Sequence, residues 1–152
     1  LQVKTTKGRY YDGLVYNVKL NKETKTLTNQ RIGEVEKYLI GKYDLEVPVI
    51  PRLNIDGVEI LQSHTTTIEI PEPGTITFAG NSNGFGSVYL LRNGDQELVY
   101  NLHPALRQQT VLLQPGLYRV VFRPAKAKTS SLTVVKDFEV EPGDEFNVEL
   151  IF

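Results

Sequence analysis

Ser63 and His64 are neighbours in the sequence and together offer a hydroxyl nucleophile and a base, the pair that many hydrolases use for acyl transfer. The chain has no Gly-x-Ser-x-Gly segment, which would present a serine on a sharp turn between a strand and a helix. Adjacent residues of a strand also point to opposite faces, so these two side chains would not meet as a catalytic pair. The sequence therefore predicts that the protein is not an enzyme.

Metal and phosphate sites lack the residues that they need. His64 and His103 are the two histidines and no cysteine is present, so a zinc ligand set is missing, and we expect both histidines in surface loops. Residues 81–86 are glycine-rich, but Tyr89 stands where the dinucleotide pattern requires its third glycine. Four aspartates lie in glycine-containing turns, where they can bond the backbone locally: Asp12, Asp56, Asp95 and Asp144. We expect no cofactor and no metal, and only a weak calcium site in these loops stays open.

Aromatic side chains are the remaining candidates for contact with a ligand or a partner. Their flat faces pack against sugar rings and against other protein surfaces. Four tyrosines hold matching strand positions and are predicted to be core residues: Tyr16, Tyr43, Tyr89 and Tyr118. The candidates for contact with sugar or protein are Tyr10, Tyr11, Phe85 and Tyr100.

Composition indicates a globular chain, with 40% hydrophobic and 23% charged residues. Seventeen basic and eighteen acidic side chains give a net charge of -1, which argues against nucleic acid as a partner. The one basic cluster is expected to be neutralised by Glu139, Glu141 and Glu149; its members are Arg119, Arg123, Lys126 and Lys128. No apolar run approaches the roughly 20 residues of a membrane helix, so we expect no membrane insertion in this segment. Because the chain has no methionine, we expect a processed chain or part of a longer one.

Alternating apolar residues predict β-strands along most of the chain. After the turn at Pro115-Gly116, residues Tyr118, Val120 and Phe122 share one face, and Tyr43, Leu45 and Val47 repeat this pattern upstream. Asn93-Gly94 predicts a hairpin turn, and residues 141–144 predict another that joins the last two strands. Between these elements, the spacing of Ile32, Val35 and Leu39 indicates a short helix near residues 32–39.

The chain also shows an internal repeat. Gly13-Leu14-Val15-Tyr16 matches Gly86-Ser87-Val88-Tyr89 at an offset of 73, and Gly41-Lys42-Tyr43 matches Gly116-Leu117-Tyr118 at 75. Val58-Glu59-Ile60 matches Phe138-Glu139-Val140 at 80. Residues 71–74, Pro-Glu-Pro-Gly, interrupt the strands because proline lacks an amide donor. We predict one repeat over residues 1–72 and a second over 73–152; the alternative is a chance likeness of two β modules.

The segments Gly86-Ser87-Val88-Tyr89, Gln114-Pro115-Gly116-Leu117-Tyr118 and Val140-Glu141-Pro142-Gly143 carry a family resemblance. Through them the second half resembles PEGA-like and carboxypeptidase-regulatory-like modules, which are small prealbumin-like β-sandwiches. The first half departs from that pattern, with Ile40-Gly41 at the Pro-Gly turn. Much of the chain is also similar to the tail that follows the von Willebrand factor A domain in some exported bacterial proteins. The Asp-x-Ser-x-Ser metal motif of the A domain itself is absent.

The expected fold class is all-β, with two tandem small antiparallel β-sandwiches of prealbumin or immunoglobulin-like type. The resemblance implies an extracytoplasmic place, in the periplasm or at the cell surface, within a larger bacterial protein. The expected function is that of a spacer or protein-interaction module, whose partners are other domains of the same chain or cell-envelope proteins. The alternative is a carbohydrate-binding module in which Tyr10, Tyr11 and Phe85 contact a polysaccharide from neighbouring loops.

Overall fold

The described residues form thirteen β-strands and no helix. The computed structural model describes residues 1–6, 10–125 and 133–151. The chain divides into two compact units, which we call unit 1 (Leu1–Glu72) and unit 2 (Pro73–Phe152). Each unit is a small β-sandwich, so the expected all-β sandwich class is confirmed.

Unit 1 contains a four-stranded sheet and a two-stranded sheet. Its strands are β1 (Gln2–Thr5), β2 (Val15–Leu20), β3 (Thr26–Arg31), β4 (Gly41–Val47), β5 (Leu53–Ile60) and β6 (Thr67–Ile70). The larger sheet is antiparallel, in the order β3-β2-β4-β5, whereas β1 and β6 pair in parallel. Val3 of β1 and Ile70 of β6 share one buried core with Tyr16 and Leu45 of the larger sheet.

Unit 2 repeats this plan with one more strand. Its strands are β7 (Gly74–Ala79), β8 (Gly84–Arg92), β9 (Asp95–Asn101), β10 (Gln108–Leu113), β11 (Gly116–Pro124), β12 (Val134–Val140) and β13 (Glu145–Glu149). One sheet is antiparallel, in the order β12-β11-β8-β9, and the other has the order β10-β7-β13. Phe138 of β12 meets Phe78 of β7 edge-on at 5.8 Å between ring centroids and stacks on Tyr118 of β11 at 5.6 Å. These rings join the two sheets.

Strand pairing shows which residues of the two units are equivalent. Tyr43 pairs with Val58 and Tyr118 pairs with Phe138, which reproduces the offsets of 75 and 80 found in the sequence. The four-stranded sheets have the same order, and β7 pairs with β13 in parallel as β1 does with β6. The first and last strands of each unit lie side by side and parallel in the smaller sheet. The expectation of antiparallel sandwiches is therefore wrong for that sheet.

The offset of 73 is wrong for β2 and β8. Tyr43 also pairs with Leu20, and Tyr118 also pairs with Leu90, so these two strands correspond at an offset of 70. The difference of three residues is odd, and an odd shift moves every side chain to the other face of a strand. Tyr16 is therefore buried as predicted, whereas Tyr89 is only half-buried on the outer face.

The short helix expected near residues 32–39 is also wrong. Gly33 has φ of 85°, outside the helical region, and its amide donates to the Val3 carbonyl at 2.8 Å. The Glu36 amide donates to the Leu1 carbonyl at 3.1 Å, so this segment runs along β1. At an offset of 75 it matches β10, which pairs with β7 in unit 2. The segment is thus an irregular counterpart of β10.

Turn residues decide where the chain changes sheets. At Asn93 and Gly94, φ angles of 52° and 80° form the tight β8–β9 hairpin that the sequence predicts. The turn at residues 141–144 does not close a hairpin, because β12 pairs with β11 and β13 pairs with β7. That turn carries the chain from one sheet to the other, and the predicted closing hairpin is wrong.

The central strands β4 and β11 bury the faces that their alternation predicts. Tyr43, Leu45 and Val47 are buried in unit 1, and Tyr118, Val120 and Phe122 are buried in unit 2. On the outer face of β11, Arg119 binds both carboxylate oxygens of Asp137, at 2.7 and 2.9 Å. Asp137 is its cross-strand neighbour on β12 and takes the place of the glutamates expected as partners. Lys126 and Lys128 of the predicted basic cluster lie outside the described residues.

A buried tyrosine hydroxyl ties each central strand to the turn before it. The Tyr43 hydroxyl donates to the Leu39 carbonyl at 2.7 Å, and the Tyr118 hydroxyl donates to the Gln114 carbonyl, in both cases four residues earlier. Gln114 is buried, and a buried carbonyl without a donor would cost about 1–3 kcal/mol, so in unit 2 the same ring fills the core and satisfies the backbone.

Substitution of these tyrosines is expected to destabilise the fold, and alanine is expected to cost more than phenylalanine. Tyr43→Phe and Tyr118→Phe lose one hydrogen bond, with a cost of about 1 kcal/mol, and the alanine variants also lose a buried ring, for a total of roughly 3 kcal/mol or more. Arg119→Ala, which removes an exposed ion pair screened by solvent, is expected to change the free energy of unfolding less than either alanine variant of tyrosine does. Urea denaturation measures each value. An arginine variant more costly than the alanine variants of tyrosine would contradict this order.

Asp44 organises the connections on both sides of β4. Its carboxylate accepts the Gly57 amide at 2.9 Å, the Lys22 amide at 2.8 Å and the Asn21 side-chain amide at 2.9 Å. Gly57, at φ of 68°, lies where the β4–β5 register shifts. The two backbone amides and the Asn21 side chain together lower the pKa of Asp44, because they stabilise the ionised form.

The lowered pKa of Asp44 gives a pH-dependent contribution to stability. The unfolded chain takes up this proton near pH 4, before the folded chain does, so the contribution is complete above that pH and is lost as the pH falls through the folded pKa. Asp44→Asn is expected to lower the urea midpoint at neutral pH. The difference from the parent protein should shrink between about pH 5 and pH 2. A difference that stays constant over this interval would contradict the assignment.

Candidate functional site

A groove of about 480 Å³ lies on the outer face of the β12-β11-β8-β9 sheet in unit 2. Phe85, Ser87 and Tyr89 line it from β8, because alternate residues of a strand share a face. Asn101 of β9 and Arg123 of β11 line it from the neighbouring strands. Phe85 is 64% exposed, so a large aromatic face is presented to solvent.

Two glycines of β8, Gly84 and Gly86, lie on the buried face of the strand, opposite Phe85 and Ser87. A Cβ atom on Gly84 would lie 2.4 Å from the Arg123 carbonyl oxygen and 2.6 Å from the Phe122 ring. A Cβ atom on Gly86 would lie 2.6 Å from Cδ1 of Leu102. Both glycines are buried and allow close packing under the strand. This packing accounts for the glycines of residues 81–86, so no phosphate-binding role is needed to explain them.

The polar groups of the groove are neutral apart from Arg123. Ser87 Oγ donates to Asn101 Oδ1 at 3.0 Å across the β8–β9 pair. An aromatic face beside hydroxyl, amide and guanidinium groups can pack on an apolar ring face while it bonds hydroxyl or carbonyl groups. Across residues 1–6, 10–125 and 133–151, no group of three or more His, Cys, Asp or Glu side chains could hold a metal ion.

The four aromatic residues predicted to make contacts differ in their burial. Tyr10 and Tyr11 are half-buried in unit 1, where Tyr11 packs against the core. Tyr100 is half-buried on β9 and pairs with the buried Val88, so it faces the inner side of the sheet. Phe85 alone of the four is largely exposed, and it lies in β8 rather than in the expected loop.

Tyr89 joins Phe85 on the groove, although the sequence interpretation assigned it to the core. The spacing of Phe85, Ser87 and Tyr89 was the signal for this arrangement, since residues at i, i+2 and i+4 share one face of a strand. The repeat match at an offset of 73 obscured that signal, because it made Tyr89 the equivalent of the buried Tyr16.

Both histidines lie in exposed loops, as expected. His64 Nδ1 lies 2.7 Å from the Gln62 carbonyl oxygen, and His103 Nδ1 accepts the Ala105 amide at 3.2 Å. Asp144 makes the predicted local bond, because its carboxylate accepts the Glu141 amide at 2.8 Å. These polar groups stabilise turns.

No protein-family model and no curated protein matches the chain. The crystal structure of the pilus adhesin SpaC from Lactobacillus rhamnosus GG is similar, with 10% sequence identity and a TM-score of 0.31. The match covers 99% of this chain and 30% of the adhesin chain. A likeness this distant carries no argument about function.

Among the described residues, none lies in a helix with the length and apolar character required to cross a bilayer.

The packing role of the β8 glycines can be tested by adding a single methyl group. Gly84→Ala and Gly86→Ala are each expected to lower the free energy of unfolding by about 1–3 kcal/mol, because the new Cβ atom overlaps packed neighbours. Gly41→Ala is the matched control, since the nearest atom to its new Cβ is the Tyr43 ring at 3.9 Å. We expect that variant to stay within about 0.5 kcal/mol of the parent in urea denaturation. Equal costs at all three sites would contradict the packing role.

Proposed function

We propose that this chain is a non-catalytic β-sandwich module that acts as a spacer or protein-interaction domain of a larger bacterial protein. Its partners are other domains of that protein or proteins of the cell envelope. The observation that carries the proposal is the repeated architecture, in which both units have the same strand order and the same tyrosine bond. A sandwich that buries its own core can be repeated along a chain while each copy stays self-contained.

The way the polar side chains are used supports the same proposal. Asp44 and Asp144 bind backbone amides, and Tyr43 and Tyr118 bind backbone carbonyls. Arg119 is held by Asp137. These groups stabilise the fold, and the exposed side chains also include large apolar and aromatic ones, such as Phe85, that can contact other molecules.

We propose that the protein is located outside the cytoplasm, in the periplasm or at the cell surface. This part of the proposal rests on the resemblance of the sequence to PEGA-like and carboxypeptidase-regulatory-like modules and to the tail of exported von Willebrand factor A domain proteins.

Protease accessibility tests the location. Antibodies against the chain would follow the full-length protein in the source bacterium while intact cells, cells with a permeabilised envelope and lysed cells are treated with protease. We expect digestion before lysis, while a cytoplasmic marker protein survives. Protection until lysis would overturn the extracytoplasmic location.

A carbohydrate-binding module is the second candidate function, and the groove on unit 2 favours it. Phe85 and Tyr89 offer aromatic faces, and Ser87, Asn101 and Arg123 surround them with groups that can bond sugar hydroxyls. In this proposal the site is centred on β8, and Tyr10 and Tyr11 of unit 1 are not needed for it.

Affinity electrophoresis in gels that contain soluble polysaccharides separates the two candidates. Carbohydrate binding predicts retardation that is lost in Phe85→Ala and Tyr89→Ala and kept in Leu117→Ala, which removes an exposed side chain from the same sheet outside the groove lining. The spacer function predicts no retardation on any polysaccharide of the panel. A loss in Tyr11→Ala alone would move the sugar site to unit 1 and overturn the β8 groove.

A further inference from the structure

Unit 1 has an open groove of about 770 Å³ between residues 35–40 and 60–65, with Leu1 at one side. Apolar side chains line it while exposed to solvent: Leu39 is 85% exposed, Ile40 65% and Leu61 52%. A cluster of this kind on a folded domain marks a place where another surface or segment binds.

The same place in unit 2 is filled by the chain itself. Strand pairing makes Ile76 equivalent to Leu1, so Pro73, Gly74 and Thr75 are the residues that enter the equivalent groove. The Thr75 amide donates to the Asp144 carbonyl at 2.7 Å, and the Gly143 amide donates to the Pro73 carbonyl at 3.2 Å. An extended segment thus runs into β7 between β10 and the turn that follows β12.

The fit of that segment depends on a small residue. Pro73 and Gly74 are buried, and a Cβ atom on Gly74 would lie 2.4 Å from Cγ1 of Val140. The residue two positions before Ile76 therefore has to be glycine for the segment to lie flat in the groove.

Unit 1 has the matching receptor groups. Ser63 and His64 are the equivalents of Gly143 and Asp144, and Ser63 and Gly143 share a positive φ, of 60° and 78°. The Leu1 nitrogen donates to the Glu36 carbonyl at 2.8 Å, which is the bond of a strand amide. A residue joined to that nitrogen would continue alongside residues 37–40 into the groove.

We propose that the groove of unit 1 is the seat of an extended polypeptide segment that leads into Leu1, with a small residue two places ahead of it. Leu39, Ile40 and Leu61 stand where unit 2 has Gln114, Pro115 and Glu141, so the occupant of unit 1 presents apolar side chains to a more apolar groove. This inference rests on the geometry of the two units and does not depend on the function proposed above.

N-terminal extensions of the 152-residue chain test the proposal. One extension is Pro-Glu-Pro-Gly-Thr, which copies residues 71–75 and places glycine second ahead of Leu1. The matched control is Pro-Glu-Pro-Leu-Thr, in which the small residue becomes large. Amide hydrogen exchange of Ser63 and the thermal midpoint of unfolding are measured for both and for the unextended chain. We expect the glycine extension to slow exchange at Ser63 at least tenfold and to raise the midpoint, and the leucine extension to do neither.

A groove variant checks that the effect arises in this place. Leu39→Asp changes a side chain that is 85% exposed, so the chain should still fold, and the gain from the glycine extension should fall. Equal behaviour of the two extensions, or no response to Leu39→Asp, would overturn the proposal. A dimer of the unextended chain that Leu39→Asp dissociates would also overturn it and assign the groove to a second copy.

Discussion

The bond from a buried tyrosine hydroxyl to the carbonyl four residues earlier is the interaction on which each unit depends. It holds the turn that leads into the central strand, and that strand pairs with a neighbour on both sides. In unit 2 the tyrosine therefore lies on the middle strand of three paired strands. The ring also faces the inner sheet, so one side chain holds the turn and joins the two layers of the sandwich.

Much of this arrangement could be predicted from the sequence, because period-two alternation specifies the faces of β4 and β11 directly. Pairing between distant strands leaves no such local signal. Tyr89 was assigned to the wrong face because a repeat match differed from the true register by three residues. The turn at residues 141–144 has the composition of a hairpin, yet it joins two sheets, because β13 pairs with β7 and β12 pairs with β11. The role of Asp44 also leaves no local signal, since its amide partners come from two separate connections.

The two units fill the core beneath the equivalent strands β2 and β8 differently. Tyr16 occupies the core of unit 1, and the equivalent position in unit 2 is Gly86. Leu102 and Phe122 pack into the space that the missing side chain leaves. The outer face of β8 carries Phe85 and Tyr89, with Ser87 between them. Two copies of one fold thus reach the same internal packing with different side chains, and their surfaces also differ.

The parallel pairing of the first and last strands of each unit has a mechanical consequence. In β1 with β6, and in β7 with β13, the strand that enters a unit and the strand that leaves it point the same way and are joined by evenly spaced hydrogen bonds. A pull on the two ends of a unit therefore slides these strands past one another in shear. All the bonds between them carry the tension together, whereas a hairpin pulled at its open end would unzip one bond at a time. Each unit is built to resist stretching along its strands.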